Sequence, residues 1–182
     1  MDLDQMREAL RRRTIDAVSR GSVRLASGKI SDFYIDGRRV TLDPKALFYI
    51  ARLMADGLDG VDFDAVGGPT MGADPIVGAL LYHFWVTEQK PIAGFIIRKE
   101  AKTYGLQKLI EGPQFKAGAR VVLVEDVVTS GGSVLKAARV VEAAGAKVVK
   151  ILALVDREEG ADDTCTAAGY DFAALFKRRE LE

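Results

Sequence analysis

The stretch VVLVEDVVTSGGS, residues 121–133, decides the fold. It begins as an apolar run, which is typical of a strand buried on both faces of a sheet. Two adjacent acids, Glu125 and Asp126, come next, and a group of small polar residues and glycines then leads into a helical pattern. Adjacent carboxylates attract cations, whereas a turn of hydroxyls and glycines at the start of a helix suits an anion. The stretch therefore predicts a strand, a turn and a helix, with a ligand site where the strand ends.

The same pattern continues on both sides of this stretch. From residue 61 onward, apolar strand segments alternate with helical segments over short connections, and YDFAALFKR forms a last strand. This alternation predicts an α/β fold with a parallel sheet flanked by helices. No linker or repeat interrupts the pattern, so residues 1–182 are interpreted as a single domain.

The part of the chain before residue 61 has a different pattern. Residues 1–20 carry apolar side chains at helical spacing and predict an amphipathic helix. GSVRLASGKISDFYID, residues 21–36, predicts short strands or a hairpin. A further helix is expected to begin with Asp43 as its N-cap and Pro44 at its first position.

One long segment, residues 99–119, has no clear helical periodicity although it lies between two strands. Loops of this length in compact domains are mostly functional lids or disordered segments. We therefore expect a long flexible loop here, within which LQKLI, residues 106–110, could form a small hairpin arm.

Composition narrows the classes of function. The sequence has 26 basic and 26 acidic residues, and this zero formal charge argues against a non-specific nucleic-acid binder. Cys165 is the only cysteine, which excludes an internal disulfide, and His83 is the only histidine, which argues against a histidine-rich zinc site and a Cys/His nucleophile pair. The charged N-terminus and the absence of an apolar run of about 20 residues predict a cytoplasmic protein without a signal peptide or membrane span.

The turn at residues 129–133 is the strongest candidate for a binding site. Backbone N–H groups at a helix N-terminus bind phosphate, and Gly131 and Gly132 allow close approach. The turn has no lysine, so it is not the P-loop of nucleoside-triphosphate enzymes, and it lacks the G-x-G-x-x-G spacing of dinucleotide sites. Carboxylates just upstream could accept hydrogen bonds from sugar hydroxyls or hold Mg²⁺ through water. A phosphorylated sugar is the predicted ligand, and the alternative is a connecting turn with a solvated acidic pair.

Two other strand ends carry unusual residues. GGPTMGADP, residues 67–75, is either a tight connecting turn or a set of N–H groups facing phosphates. Arg157, which follows Asp156 at the end of a strand, is either a solvated charge or a bidentate carboxylate binder. The long loop is basic, and this predicts a mobile cationic clamp for a polyphosphate, with a solvated surface loop as the alternative. Its residues are Arg98, Lys99, Lys102 and Lys108, with Tyr104 and Gly105 as a contact and a hinge.

Three of these segments together resemble a known family. VVLVEDVVTSGGS resembles the signature that binds 5-phosphoribosyl 1-diphosphate (PRPP) in type I phosphoribosyltransferases. RKEAKTYG, residues 98–105, resembles the catalytic loop of the orotate phosphoribosyltransferases, and LASGKISDFYID, residues 25–36, resembles their N-terminal segment. The similarity extends from about residue 23 to residue 160 in the same order.

The resemblance implies the type I phosphoribosyltransferase fold, with a small N-terminal hood subdomain and a long flexible catalytic loop. It implies transfer of the phosphoribosyl group from PRPP to orotate, which gives orotidine 5′-monophosphate and pyrophosphate in pyrimidine biosynthesis, with Mg²⁺ as cofactor. It also implies a homodimer in which the catalytic loop serves the neighbouring subunit's site.

The resemblance further implies roles for individual residues. The Mg²⁺ ion would be held mainly by PRPP, with water-mediated help from Glu125 and Asp126. The residues expected to take part in catalysis are Arg98, Lys99, Lys102 and Asp126. The residues expected to bind PRPP are Arg98, Lys99, Lys102, Tyr104, Glu125, Asp126, Val127, Val128, Thr129, Ser130, Gly131, Gly132 and Ser133. The residues expected to bind orotate are Lys29, Phe33, Tyr34, Thr129 and Arg157.

The chain departs from the family pattern at three places. Ala26 stands where many members have a lysine, and Tyr104 stands where many have a histidine. Some members also have a lysine in the turn that here includes residues 70–73.

Two rival hypotheses remain open. One is a phosphoribosyltransferase for another nucleobase, against which RKEAKTYG and Arg157 argue. The other is a regulator of the same fold that binds PRPP as an effector and RNA or DNA as a partner. The zero net charge and the complete catalytic loop argue against such a regulator, so neither nucleic acid nor membrane is an expected partner.

Overall fold

The computed structural model describes residues 1–24, 30–100 and 109–182. Within these ranges the helices are α1 (Leu3–Asp16), α2 (Arg38–Thr41), α3 (Pro44–Asp56), α4 (Ala73–Glu88), α5 (Gly132–Ala143) and α6 (Ala161–Ala167). The strands are β1 (Val18–Arg24), β2 (Ile30–Ile35), β3 (Ala65–Pro69), β4 (Ala93–Ile97), β5 (Ile110–Glu111), β6 (Arg120–Val128), β7 (Lys147–Asp156) and β8 (Phe172–Lys177). A short 3₁₀ turn, Arg178–Glu180, follows β8.

The main sheet has six strands in the order β5-β4-β3-β6-β7-β8. All neighbouring pairs are parallel except β4 and β5, which are antiparallel. The predicted parallel sheet flanked by helices is therefore confirmed. Strand β6 lies between β3 and β7, and its residues Val121, Val122, Leu123 and Val124 are fully buried.

The N-terminal region forms the predicted hairpin, in which β1 pairs with β2 in antiparallel fashion. The expectation of a helix to residue 20 was wrong, because α1 ends at Asp16 and Val18 pairs with Ile35 in the hairpin. This N-terminal part of the chain, residues 1–41, is called the hood. Contacts with β8 and the turn that follows it hold the hood in place. The Arg7 guanidinium donates to the Leu175 carbonyl and pairs with Glu180 at 2.7 Å.

The long segment after β4 is described only at its ends. The predicted flexible loop spans residues 99–119, of which residues 101–108 lie outside the described residues, as do the first three residues of the predicted hairpin arm, 106–110. Where the description resumes, Ile110 pairs with Ile97 in the short β5 strand. The sequence patterns did not indicate α6, which has seven residues.

The start of α3 agrees with the sequence prediction. Asp43 is the N-cap, and its carboxylate accepts a hydrogen bond from the Ala46 backbone N–H at 2.7 Å. Pro44 occupies the first helical position, where its missing N–H leaves no donor unsatisfied. Arg13 of α1 contacts the same carboxylate at 3.2 Å, so this cap also joins two helices. In the part of the chain that the structure describes, no helix is long and apolar enough to cross a membrane.

We expect Asp43→Ala to lower the free energy of unfolding by about 1 kcal/mol, because the N–H groups of the first helical turn lose their acceptor. Asp43→Asn keeps a capping oxygen and should lose much less. Urea unfolding followed by circular dichroism measures both variants. Asp59→Ala, at an exposed position just beyond α3, is the control, and an equal loss in it would contradict the capping role.

Candidate functional site

Polar segments meet at the edge of the sheet where the parallel strands end. There they line a cavity of about 380 Å³, in the position where open α/β sheets bind ligands. The hood contributes residues 34–38, the turn after β3 contributes residues 69–72, and the end of β6 contributes residues 125–127. Four further side chains complete the lining: Lys99, Thr129, Ser133 and Arg157.

The two acids on β6 form the floor of this cavity. Glu125 is only 8% exposed, and its burial, reinforced by the neighbouring Asp126 charge, raises its pKa from 4.5 to about 9. Burial also raises the pKa of Asp126, although the Val127 backbone N–H donates to its Oδ1 atom at 2.8 Å and opposes the rise. A proton on Glu125 is therefore favoured in the folded state at neutral pH.

Two glycines bring separate segments against these acids. A Cβ atom at Gly37 would overlap the Asp126 carboxylate from the hood side. A Cβ atom at Gly72 would overlap the same carboxylate from the turn after β3, and it would also lie 2.8 Å from Glu125 Oε1. The Thr70 hydroxyl fixes this turn by donating to Asp74 at 2.9 Å, in the first turn of α4. Glycine is thus required at both positions by the closeness of the acids.

A smaller cavity of about 140 Å³ opens beside the acids at the start of α5. Its walls are residues 127–134 together with Glu125. Gly131 is the N-cap with φ +82°, a conformation that favours glycine, and no side chain caps the helix. The first N–H groups of α5 can therefore donate to an anion. Thr129 and Ser133 line both cavities, so one ligand can extend from the acids to this turn.

Arg157 lies under the hood at the end of β7. The residue is 5% exposed, its Nη2 atom donates to the Phe33 carbonyl at 2.9 Å, and Nη2 also pairs with Glu159 at 2.6 Å. The Tyr34 side chain lies on the strand face that lines the main cavity. The Phe33 ring is buried in the core, with the Arg178 guanidinium 4.9 Å from its centre. Phe33 thus contacts the site region through its backbone carbonyl.

The basic residues after β4 are partly described. Arg98 pairs with Glu111 at 3.5 Å, and Lys99 lines the main cavity. Both also line an adjoining cavity of about 300 Å³, together with Lys136 of α5. The predicted site residues Lys29, Lys102 and Tyr104 lie outside the described residues, as do Lys108 and Gly105 of the predicted clamp and Ala26.

Sequence reasoning overlooked the segment at residues 36–38 and the cation Lys136. Residues 36–38 follow directly after β2, so a charged DGR sequence at a strand end was an available signal. Lys136 follows Ser133 by three residues and lies on the same side of α5.

The acidic side chains of the site determine how a metal ion could be held there. The described residues contain no group of three or more His, Cys, Asp or Glu side chains able to hold a metal ion. The adjacent carboxylates of Glu125 and Asp126 instead suit a Mg²⁺ ion that obtains most of its oxygen ligands from a phosphorylated substrate and from water.

The raised pKa of Glu125 predicts how stability depends on pH. Between about pH 4.5 and pH 9 the folded state holds this proton and the unfolded state does not, so stability falls as pH rises. Glu125→Gln has no proton to lose. The free energy of unfolding of the variant, relative to the parent protein, should therefore rise between pH 5 and pH 8, by at most about 1.4 kcal/mol per unit.

Urea unfolding at four pH values measures this difference. The exposed Glu88, at the end of α4, provides the control variant Glu88→Gln, which should track the parent protein. A difference between Glu125→Gln and the parent that is flat with pH would show that Glu125 is ionised in the folded state.

Comparisons with known proteins agree with this geometry. The family model of the phosphoribosyl transferase domain matches residues 38–166. Orotate phosphoribosyltransferase of Bradyrhizobium sp. strain BTAi1 is 44% identical over 177 residues, which cover 96% of this chain and 94% of that protein. The corresponding protein of Streptomyces avermitilis is 43% identical over 181 residues, with 98% of both chains covered.

Solved structures give the same result. A phosphoribosyltransferase from Corynebacterium diphtheriae superposes with a TM-score of 0.84 at 34% identity and covers 97% of this chain and 98% of its own. Orotate phosphoribosyltransferase of Mycobacterium tuberculosis in complex with PRPP superposes with a TM-score of 0.78 at 34% identity and covers 100% and 99% of the two chains. The fold, the site at the strand ends and these relatives together establish that the chain belongs to the phosphoribosyltransferase family, among the orotate phosphoribosyltransferases.

Proposed function

We propose that this protein transfers the 5-phosphoribosyl group from PRPP to orotate, giving orotidine 5′-monophosphate and pyrophosphate, a reaction of pyrimidine biosynthesis. The names of the curated relatives and the PRPP complex of the Mycobacterium tuberculosis protein support this proposal. The observation that carries it is the shared wall of the two cavities, which joins an acid pair, an uncapped helix start and Arg157 at one sheet edge.

The proposed position of PRPP follows from the chemistry of these walls. The 5′-phosphate accepts hydrogen bonds from the N–H groups and hydroxyls of residues 129–133. The ribose hydroxyls donate to the carboxylates of Glu125 and Asp126, which lie between that turn and the rest of the main cavity. Val127 and Val128 link the two parts through their backbone.

The proposed position of orotate is under the hood, next to Arg157. A guanidinium fork matches a carboxylate group, and the Phe33 carbonyl fixes its orientation through the 2.9 Å hydrogen bond. Tyr34 lines the same cavity and can cover one side of the base, and Thr129 reaches it from the other wall. Lys29 and Phe33 remain predicted orotate contacts, the former outside the described residues and the latter with its ring in the core.

The reaction requires that a bond from ribose C1 to the diphosphate breaks and that a bond from C1 to a ring nitrogen of orotate forms. The charge of orotate is on its carboxylate, so the reacting ring nitrogen also loses its proton, which the departing pyrophosphate or water can accept. As positive charge develops on the ribose, the Asp126 carboxylate beside its hydroxyls stabilises that charge. Mg²⁺ bound to the diphosphate would neutralise part of the charge on the leaving group.

The cations after β4 act on the leaving group in this proposal. Arg98, Lys99 and Lys102 contact the departing pyrophosphate, and closure of the loop excludes water that would otherwise capture the ribose. Tyr104 contacts PRPP from the same loop. Lys102 and Tyr104 lie outside the described residues, so their positions rest on the match of RKEAKTYG to the family's loop.

A homodimer with shared loops is part of the same proposal. Large apolar side chains on the outer surfaces of α3 and α4 support association, because apolar side chains grouped on a surface favour contacts between proteins. They are Phe48, Tyr82, Trp85 and Val86, each more than half exposed.

If the loop serves the neighbouring site, mixing an inactive Lys102→Ala protein with an inactive Asp126→Ala protein should restore activity that neither has alone.

The direct test of the function follows the consumption of orotate with PRPP, with and without Mg²⁺. We expect turnover that depends on both PRPP and Mg²⁺. Turnover of hypoxanthine or uracil in place of orotate would establish the rival nucleobase hypothesis. A gel shift with RNA or DNA in a protein that shows no turnover would instead establish the regulator.

We expect Lys102→Ala to reduce turnover far more than it weakens PRPP binding, because Lys102 neutralises charge that appears on the leaving group as the bond breaks. Stopped-flow turnover and calorimetric PRPP binding measure the two quantities. Lys116→Ala is the control, since Lys116 is exposed near Asp64 at the opposite edge of the sheet. Equal losses in turnover and binding would show that Lys102 contributes to ground-state binding alone.

A further inference from the structure

Arg38, at the start of α2, lies on the wall of the main cavity although none of the assignments above includes it. Its Nε atom donates to Asp36 at 3.0 Å, and its side chain is 48% exposed. Among the described residues, its terminal Nη1 and Nη2 atoms make no hydrogen bond. The guanidinium is therefore oriented by Asp36 and retains donors for a ligand.

The position of Arg38 in the cavity follows from its neighbours. Gly37 lies directly against the Asp126 carboxylate, so Arg38 is one residue away from the floor of the site. The Asp36 hydrogen bond is the main cause of a raised Arg38 pKa, and the Asp126 charge adds to it. In return the Arg38 charge lowers the pKa of Asp126, against the larger effect of burial. The two side chains are thus close enough to interact electrostatically.

We propose that Arg38 is a further binding residue for the diphosphate of PRPP and for the pyrophosphate product, supplied by the hood and not by the loop after β4. This inference rests on the proposed function, because it takes the acid pair as the ribose site. It assigns a role to a side chain of the N-terminal part of the chain that lines the main cavity.

The other anionic groups of the two substrates have different partners. The smaller cavity, which suits the 5′-phosphate, is formed by the end of β6 and the start of α5, and Arg38 is not on its wall. The orotate carboxylate is matched by Arg157 at the end of β7. The segment 36–38 and the turn at residues 69–72 instead face each other across Asp126. The part of PRPP that would lie between these two segments is therefore the diphosphate, which is attached to ribose C1.

The charge balance of the cavity supports the same assignment. Glu125 and Asp126 make the floor acidic, so a diphosphate placed beside them needs cations close by. Arg98 is partly neutralised by Glu111, whereas Arg38 and Lys99 both line the cavity itself. Arg38 also has the planar fork that matches phosphate oxygens.

The test compares Arg38→Ala and Arg38→Lys with the control Arg39→Ala. Arg39 is the next residue on α2, is exposed, and is not on the wall of the main cavity. Titration calorimetry with pyrophosphate and with PRPP, both with Mg²⁺, measures binding. Steady-state assays give KM for each substrate, and thermal melting reports the fold.

We expect Arg38→Ala to raise Kd for both pyrophosphate and PRPP about tenfold, as for the loss of a charge-assisted hydrogen bond. Arg38→Lys should keep part of the affinity, and Arg39→Ala should behave like the parent protein. KM for orotate at saturating PRPP and the melting temperature should not change. An unchanged Kd for pyrophosphate, or an equal loss for orotate, or a lowered melting temperature in Arg38→Ala, would overturn the assignment.

The outcome can be separated from a failure of the proposed function. If the parent protein does not consume orotate but Arg38→Ala still weakens pyrophosphate binding, the anion site stands and the acceptor base is wrong. If the parent protein consumes orotate and Arg38→Ala binds pyrophosphate normally, the function stands and the role of Arg38 is refuted.

Discussion

The burial of two adjacent carboxyl groups at the end of β6 is the constraint on which the site depends. A buried ionised carboxylate without a partner is strongly unfavourable, and a protein relieves this by pairing it with a cation or by protonating it. Among the described residues, no basic side chain forms an ion pair with either carboxyl group, and the raised pKa of Glu125 favours protonation as the solution. The surrounding segments bury most of Glu125 and part of Asp126 while leaving both acids on the floor of a cavity. The hydroxyl groups of a bound sugar can donate hydrogen bonds to the carboxyl oxygens in place of that proton.

The hood is positioned by apolar packing into the core, as at Leu10 and Phe33, and by polar contacts with the rest of the chain. Several of these contacts are hydrogen bonds from guanidinium groups to backbone carbonyls, and others are exposed ion pairs such as Arg178 with Asp32 at 3.1 Å, which contribute little individually. The contact from Arg157 to the Phe33 carbonyl is different because it is buried. The side chain proposed to bind the base therefore also helps to hold the cover over it. Loss of Arg157 would affect both the substrate contact and the position of Tyr34.

The main sheet could be predicted from sequence because each of its central strands is a short apolar run that ends in turn residues. The start of α3 was equally clear, since Asp43 and Pro44 provide a local signal that does not depend on the rest of the fold. The end of α1 was misjudged because Val18 continues the helical spacing, and only its pairing with Ile35, seventeen residues away, places it in a strand. Local patterns are insufficient where a distant partner decides the structure.

The site was predicted best where its residues follow one another in sequence. Residues 125–133 form both the acid pair and the turn that lines the smaller cavity, so a single stretch revealed them. Which of Phe33 and Tyr34 lines the cavity could not be read from sequence, because a strand alternates its side chains and either register was allowed. Arg38 and Gly37 reach the acids only because the hood folds back over the sheet, across some ninety residues of intervening chain.

The packing beneath the smaller cavity makes it possible to measure local unfolding around α6. A Cβ atom at Gly131 would lie 3.5 Å from the sulfur of Cys165, which is fully buried in α6. Burial also raises the pKa of this thiol, which keeps it protonated and unreactive while α6 is docked. Because Cys165 is fully buried, a thiol reagent can reach it only when α6 separates from the turn. Because it is the only cysteine in the sequence, no other thiol contributes to the signal. The rate of its modification thus reports local unfolding at this one place, without any label introduced into the chain.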